Sequence, residues 1–369
     1  RNYTGINLKF KSIFISCNFN FKNSCKNLMK KALALFLGVI SFLACQKSKT
    51  EVSYTVPKFS ESIKRTVTVL RDTIEDFSPN TIILDSFLIM KHESVRNEQL
   101  FHVYNRYSGA YRLSFGNRGR GYGELIHVNG ISMDYETKSM YVGSLNQSRI
   151  TIFQLDSLPW GKVNIAEKRL RQPLSSTAFF RLDPDHYLTT YNAYSRLALY
   201  DKNLNLIDSC THYSPITTQI TPEKVLENYY FYCSAVLIKP DGTKFLNFTH
   251  CGAILEFFNI QQNKITHSNT SYIYEPTYKA DGFPLWQESI RGWRTVYATD
   301  NYIYIALNGT KDLETRIEKL SVFDWQGSPV RQYDLGVNIM RVVVDESSKT
   351  GYVIYRDDEY EYHLGNFDL

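Results

Sequence analysis

The sequence predicts an all-β fold, a ring of six four-stranded sheets forming a six-bladed β-propeller, on three observations. An aromatic residue is followed by Asp, Asn or Gln near the end of an apolar run six times: Tyr104-Asn105, Phe153-Gln154, Tyr200-Asp201, Phe258-Asn259, Phe323-Asp324 and Phe367-Asp368. These pairs lie 49, 47, 58, 65 and 44 residues apart, and a recurrence near that period marks a repeat architecture. Aromatic residues make up 14% of the chain, 27 of them Tyr; with many Val, Ile and Thr they favour strands over helices. Finally, residues 60–369 divide into six runs of short apolar segments separated by Gly, Asn and Asp turns.

The first 44 residues stand apart. They hold seven Lys and Arg and no Asp or Glu, so the net charge of +5 belongs to them; the remainder carries 35 basic and 37 acidic residues. Without a basic excess there is no footprint for neutralising phosphates, and nucleic-acid binding is not expected. Residues 1–28, rich in Asn, Lys, Phe and Ile, read as an upstream extension outside the fold. From Met29, Lys30 and Lys31 precede an apolar stretch, Ala32 to Leu43, too short to span a bilayer comfortably. It ends in Phe42-Leu43-Ala44-Cys45, which resembles the lipobox of bacterial lipoproteins, with Phe42 where Leu is usual. The resemblance implies that residues 29–44 are a signal peptide, that cleavage precedes Cys45, and that Cys45 is lipidated. Several acyl chains on one Cys would hold the protein on a membrane. The address implied is the cell envelope, at the periplasmic or surface face of the outer membrane. Residues 45–59, polar in their first part, are expected to be a tether.

Ser62 to Asp72 reads as one strand, with Val67 and Val69 alternating with polar residues. The first unit has strands at 82–84, 86–91, 100–104 and 111–115. In the second, strands are expected at 130–134, 139–143 and 149–154. The third has them at 178–182, 186–191, 196–200 and 206–209, and the fourth at 230–238, 244–248, 254–259 and 264–268. The fifth has 294–299, 302–307, 317–324 and 330–335, and the last 339–345, 351–355 and 360–367. That last unit lacks a fourth strand, which the segment near Val67 would supply, closing the ring and removing exposed edges. The long spacings of 58 and 65 residues imply insertions at about 210–229 and 268–293.

Gly116-x-x-Gly119-x-Gly121-x-Gly123-Glu124-Leu125, followed by Gly130-Ile131-x-x-Asp134, Met140-Tyr141-Val142 and Ser148-Arg149-Ile150-x-x-Phe153, looks like an NHL-type propeller repeat. With its leader, the chain over about 60–369 resembles the TolB-like six-bladed propeller lipoproteins of the Bacteroidetes kind. Tyr122 and Leu125 depart from the Pro and Phe often seen there. No counterpart of TolB's own N-terminal α/β domain is present, so TolB's partners are not carried over.

Catalytic signatures are absent. The glycines at 116, 119, 121 and 123 do not follow the dinucleotide spacing, and there is no P-loop, HExxH or GxSxG. No catalytic residue and no dedicated metal ligand set is expected. Cys233 and Cys251 flank a hairpin turning at Pro240-Asp241-Gly242 and fall nearly opposite each other. A disulfide is allowed in an exported protein, and buried free thiols are the other reading. Trp286 to Arg294 (WQESIRGWR) places Trp286, Arg291, Trp293 and Arg294 in an insertion, and Trp and Arg are the residues favoured at binding hot spots. Arg118 and Arg120 on the Gly-rich loop are a second candidate, for an anionic group. The expected function is non-enzymatic: an envelope lipoprotein whose propeller face binds a protein, peptide or glycan, without a cofactor. The alternative is a lactonase-like hydrolase or lyase with a divalent cation in the central channel.

Overall fold

A computed structural model describes residues 52–74, 77–92, 98–144, 148–169, 178–190, 195–214, 234–277 and 285–369. The leader, Cys45, the start of the expected tether and Cys233 lie outside the described residues.

Two short strands open the chain, β1 (Ser62–Lys64) and β2 (Thr68–Arg71). Six sheets follow. Blade 1 contains β3 (Phe77–Leu84), β4 (Phe87–His92), β5 (Gln99–Asn105) and β6 (Tyr111–Asn117). Blade 2 contains β7 (Ile131–Asp134), β8 (Ser139–Ser144), β9 (Arg149–Gln154) and β10 (Asn164–Arg169). In blade 3 these are β11 (Ala178–Arg181), β12 (His186–Thr190), β13 (Leu197–Asp201) and β14 (Leu206–Cys210). Blade 4 has β15 (Ser234–Ile238), β16 (Lys244–Thr249), β17 (Ile254–Gln261) and β18 (Lys264–Tyr272). Blade 5 is β19 (Trp293–Ala298), β20 (Tyr302–Leu307), β21 (Lys319–Asp324) and β22 (Pro329–Asp334). Blade 6 is β23 (Asn338–Asp345), β24 (Thr350–Arg356) and β25 (Tyr362–Asp368), with β2 as its outer strand.

Within each blade neighbouring strands pair antiparallel in chain order. The second and third strands are sandwiched between adjacent blades, which is why β8, β16 and β20 read as nearly continuous apolar runs. Outer strands such as β10 and β14 are half exposed, and their sequences are correspondingly polar. Among the described residues, six apolar clusters hold the ring. Phe101, Phe115 and Phe153 join blades 1 and 2, and Phe257, Phe323 and Trp325 join blades 4 and 5. The cluster between blades 2 and 3 is small, centred on Ile150, Phe179 and Tyr187.

The repeating aromatic–polar pairs all fall on third strands. Tyr104, Phe153, Phe258, Phe323 and Phe367 are buried in the interfaces, and Tyr200 is half-buried. The polar partner organises the following turn. Asn105 Oδ1 accepts from the amides of Tyr107 and Ser108, Asp201 Oδ1 from Asn203 and Asn205, and Asp324 Oδ1 from Gln326 and Ser328.

A second periodic acid lies at the turn after each inner strand, at Asp85, Asp134, Asp183, Asp241, Asp300 and Asp345. Several reach a neighbouring blade. Asp85 meets Lys138 at 2.6 Å, Asp134 meets Arg181 at 2.9 Å, and Asp300 accepts from the Asp241 amide at 3.1 Å. Asp345 meets Arg106 at 2.7 Å, joining blade 6 to blade 1. Burial opposes ionisation of Asp345, but hydrogen bonds from Ser347, Ser348 and Arg106 outweigh it and hold the carboxyl far below its usual range.

Two expectations need correction. The stretch 62–72 is two strands rather than one, because the chain passes from one blade to the next between them: β1 runs parallel to β22 of blade 5, and β2 antiparallel to β25 of blade 6. The expected tether is also partly docked. Thr55 donates to the Tyr272 carbonyl at 2.9 Å, Tyr54 packs edge-on to Tyr272, and Phe59 lies edge-on to Phe323 at 5.6 Å. Residues 52–71 thus form a strap along the outer edges of blades 4, 5 and 6.

Candidate functional site

The inner strands β3, β7, β11, β15 and β19 line an axial cavity of about 570 Å³. Strands alternate direction within a blade, so one end of the cavity collects the starts of inner strands and the turns between second and third strands. The other end collects the acid-bearing first turns.

At the first-turn end, the phenols of Tyr135 of blade 2 and Tyr297 of blade 5 approach each other across the axis closely enough to influence each other's ionisation. Tyr135 remains 47% accessible, and it lines the cavity. Burial pushes its phenol up to about 12, with the Asp300 charge adding to the effect and Tyr297 opposing it. Tyr297 is also pushed well above its usual value, by burial and by Tyr135. Both phenols are neutral at physiological pH, as phenols ordinarily are. The cations nearby are matched: Arg181 by Asp134 at 2.9 Å, with its guanidinium 4.5 Å over Tyr141, and Lys239 by Asp241 and, at 3.9 Å, Asp300.

The opposite mouth is aromatic. The Trp293 indole stacks on His250 with ring centres 4.2 Å apart, meets Phe248 edge-on at 4.6 Å, and donates from Nε1 to the Thr249 carbonyl at 3.1 Å. Burial, with the Arg291 charge, pushes His250 down to about 4, so its ring is neutral. Arg291 pairs in a short antiparallel bridge with Cys251, and its guanidinium lies 5.7 Å over the ring of Trp286. Its Nε is buried without a hydrogen-bond partner. Gly292 allows this entry loop to lie directly on blade 4: a Cβ there would sit 2.6 Å from the Ala253 nitrogen.

The sequence candidates therefore separate. Trp286, Arg291 and Trp293 gather at one mouth with His250. Arg294 turns away, donating to the carbonyls of Leu313 at 2.6 Å and Thr315 at 2.8 Å and to Asn338 Oδ1 at 2.8 Å, which makes it a strut between blades 5 and 6. Arg118 and Arg120 emerge on the same face but from the link between blades 1 and 2. Arg118 is half-buried and bridges to Leu125, while Arg120 is exposed. Their loop folds back on itself and on blade 2: Gly121 donates to Glu124 Oε2 at 2.7 Å, and Gly123 to Glu167 Oε1 at 2.7 Å. Cys251 is buried; its expected partner Cys233 lies outside the described residues. Tyr135, Tyr297 and Arg181 carry no motif, and only the recurrent turn acid before Tyr135 could have pointed to it.

Among the described residues no group of three His, Cys, Asp or Glu is placed to hold a metal ion. No carboxylate lines the cavity among them either; its polar wall consists of hydroxyls, amides, His250 and the two matched cations.

Comparison with known proteins agrees with the architecture. A family described as TolB-like 6-blade propeller-like matches residues 58–347. No curated protein matches the sequence. Among solved structures, a Bacteroides fragilis protein described as exported superposes with a TM-score of 0.51 at 13% identity, covering 83% of this chain and 98% of that one. The β-propeller domain of Cps50 (Swd1) from Myceliophteria thermophila gives 0.44 at 11% identity, over 82% and 99%. The WD40 repeats of RRP9 give 0.45 at 9%, over 86% and 100%. At these identities the likeness extends to the fold alone.

Proposed function

The chain belongs to the TolB-like six-bladed propeller family, and from that premise we propose that it is an envelope-anchored binding module, presenting its aromatic mouth to a protein, peptide or glycan. The observation that carries this reading is the meeting of Trp286, Arg291, Trp293 and His250 on one face. Trp and Arg are residues enriched at binding hot spots, and here a guanidinium lies over one indole while the other indole stacks on an imidazole.

Attachment through Cys45 rests on the lipobox-like leader. A fold neighbour that is itself described as exported is consistent with an envelope address. Among the described residues no helix is long and apolar enough to cross a membrane. The alternative of a metal-dependent hydrolase or lyase would need converging carboxylates in the channel, and the described lining gives it none.

Glycan and peptide arrays probed with the lipid-free protein test the reading. Wild type is expected to bind a defined ligand subset, and Trp286→Ala with Arg291→Ala to lose at least about tenfold in affinity, or ~1.4 kcal/mol. Equal binding by the variant would refute the assignment of this face.

A further inference from the structure

We propose that the axial cavity is a separate ligand site that takes one uncharged, largely apolar small molecule bearing a hydroxyl or carbonyl group. Its volume, about 570 Å³, lies within the range of roughly 300–1,000 Å³ typical of small-molecule sites. Side chains such as Ile82, Val128, Met133, Phe180, Val236 and Val296 supply an apolar wall from all five lining blades.

The electrostatics select against ions of either sign. An anion would have to displace Asp134 from Arg181 or Asp241 from Lys239, and a cation would meet no lining carboxylate among the described residues. A charge without a partner is costly in such a site. The remaining polar wall is neutral: two phenols, which carry no charge at physiological pH, and an imidazole that burial holds unprotonated.

Hydrogen-bonding capacity is nevertheless present. Tyr135, 47% accessible, and the exposed Asn80 supply polar side chains to the lining. The Tyr135–Tyr297 bar narrows the first-turn end, so entry is from the mouth flanked by Trp293 and His250. Trp293 and His250 are shared with the face described above, whereas Trp286 and Arg291 lie outside the lining, so substitutions at those two tell the sites apart.

The test uses the full chain carrying Cys45→Ser and two dyes that share a ring system, neutral N-phenyl-1-naphthylamine and anionic 8-anilino-1-naphthalenesulfonate. The neutral dye is expected to bind saturably at one per chain, and the anionic dye at least tenfold more weakly. Ala178→Phe and Ala298→Phe fill the cavity from blades 3 and 5. Whichever retains the wild-type unfolding midpoint should lose neutral-dye binding at least tenfold. Trp286→Ala with Arg291→Ala should leave it within twofold, which separates failure of this site from failure of the face. Absence of saturable neutral-dye binding, equal affinity for the anion, or unchanged binding in a folded cavity-filled variant would overturn the proposal.

Discussion

Arg196 is the largest fully buried side chain among the described residues, at 0% exposure, and it meets Glu256, at 1%, across the interface of blades 3 and 4. Glu256 Oε1 also accepts from the Ser214 amide at 3.0 Å, and Oε2 from Asn247 Nδ2 at 2.9 Å. Burial alone would raise the Glu256 carboxyl; the Arg196 charge and these hydrogen bonds prevail and hold it below its usual range. Removing one member strands the other, so Arg196→Met should cost about 3–5 kcal/mol in urea unfolding, while Arg196→Met with Glu256→Leu should recover most of it. A double variant no better than the single one would contradict this. Nothing in the local sequence announces the pair, because the partner is 60 residues away on another blade. Arg196 reads as the polar start of an apolar strand. The same blindness hid Tyr135 and Tyr297, whereas Trp286 and Arg291 were legible because they lie close together in sequence.

The strands themselves were far more legible. Middle strands are buried on both faces, so their apolar runs show in the sequence without reference to any partner. Outer β10 (Asn-Ile-Ala-Glu-Lys-Arg) escaped because its exposed position demands no apolar pattern. The split between β1 and β2 escaped because it is set by which blade each segment meets. This strap gives an element-level prediction. Truncation of the chain before residue 66 removes the partly buried Phe59 and Ile63 from their clusters and should cost about 2–3 kcal/mol of buried apolar surface, leaving β2 in place. Truncation before residue 72 also bares the β25 edge, and an unpaired edge invites intermolecular pairing. Size-exclusion chromatography should find the shorter deletion monomeric and the longer one self-associating; two equally monomeric proteins would argue against a role for β2.

Stability of the whole ring should depend on pH in two stages. His212, His250 and His267 are held below their usual value mainly by burial, His250 at about 4. Their folded values lie below the unfolded one, so as pH drops below about 6.5 the unfolded chain binds protons first and stability declines. His250 alone accounts for up to about 3 kcal/mol, fully lost near pH 4. Asp134, Asp241, Asp345 and Glu256 are also depressed. Their contribution is complete above about pH 4 and disappears as pH falls through their folded values. The urea midpoint is therefore expected to be flat between pH 7 and 8, to fall below pH 6.5, and to fall again below pH 4. His250→Gln should shallow the first decline, and a midpoint constant down to pH 4.5 would rule the account out. The strap has one more consequence, concerning time rather than energy. Arg65 Nε donates to the Asp368 carbonyl, a contact spanning 303 residues. Blade 6 cannot gather all its strands until β25 has been synthesised, and contacts of such separation form slowly. The opening strands must wait through the making of everything between. During that interval the edges that will become blade 6 are exposed to other chains, and this is the stage at which a chaperone would have most to protect.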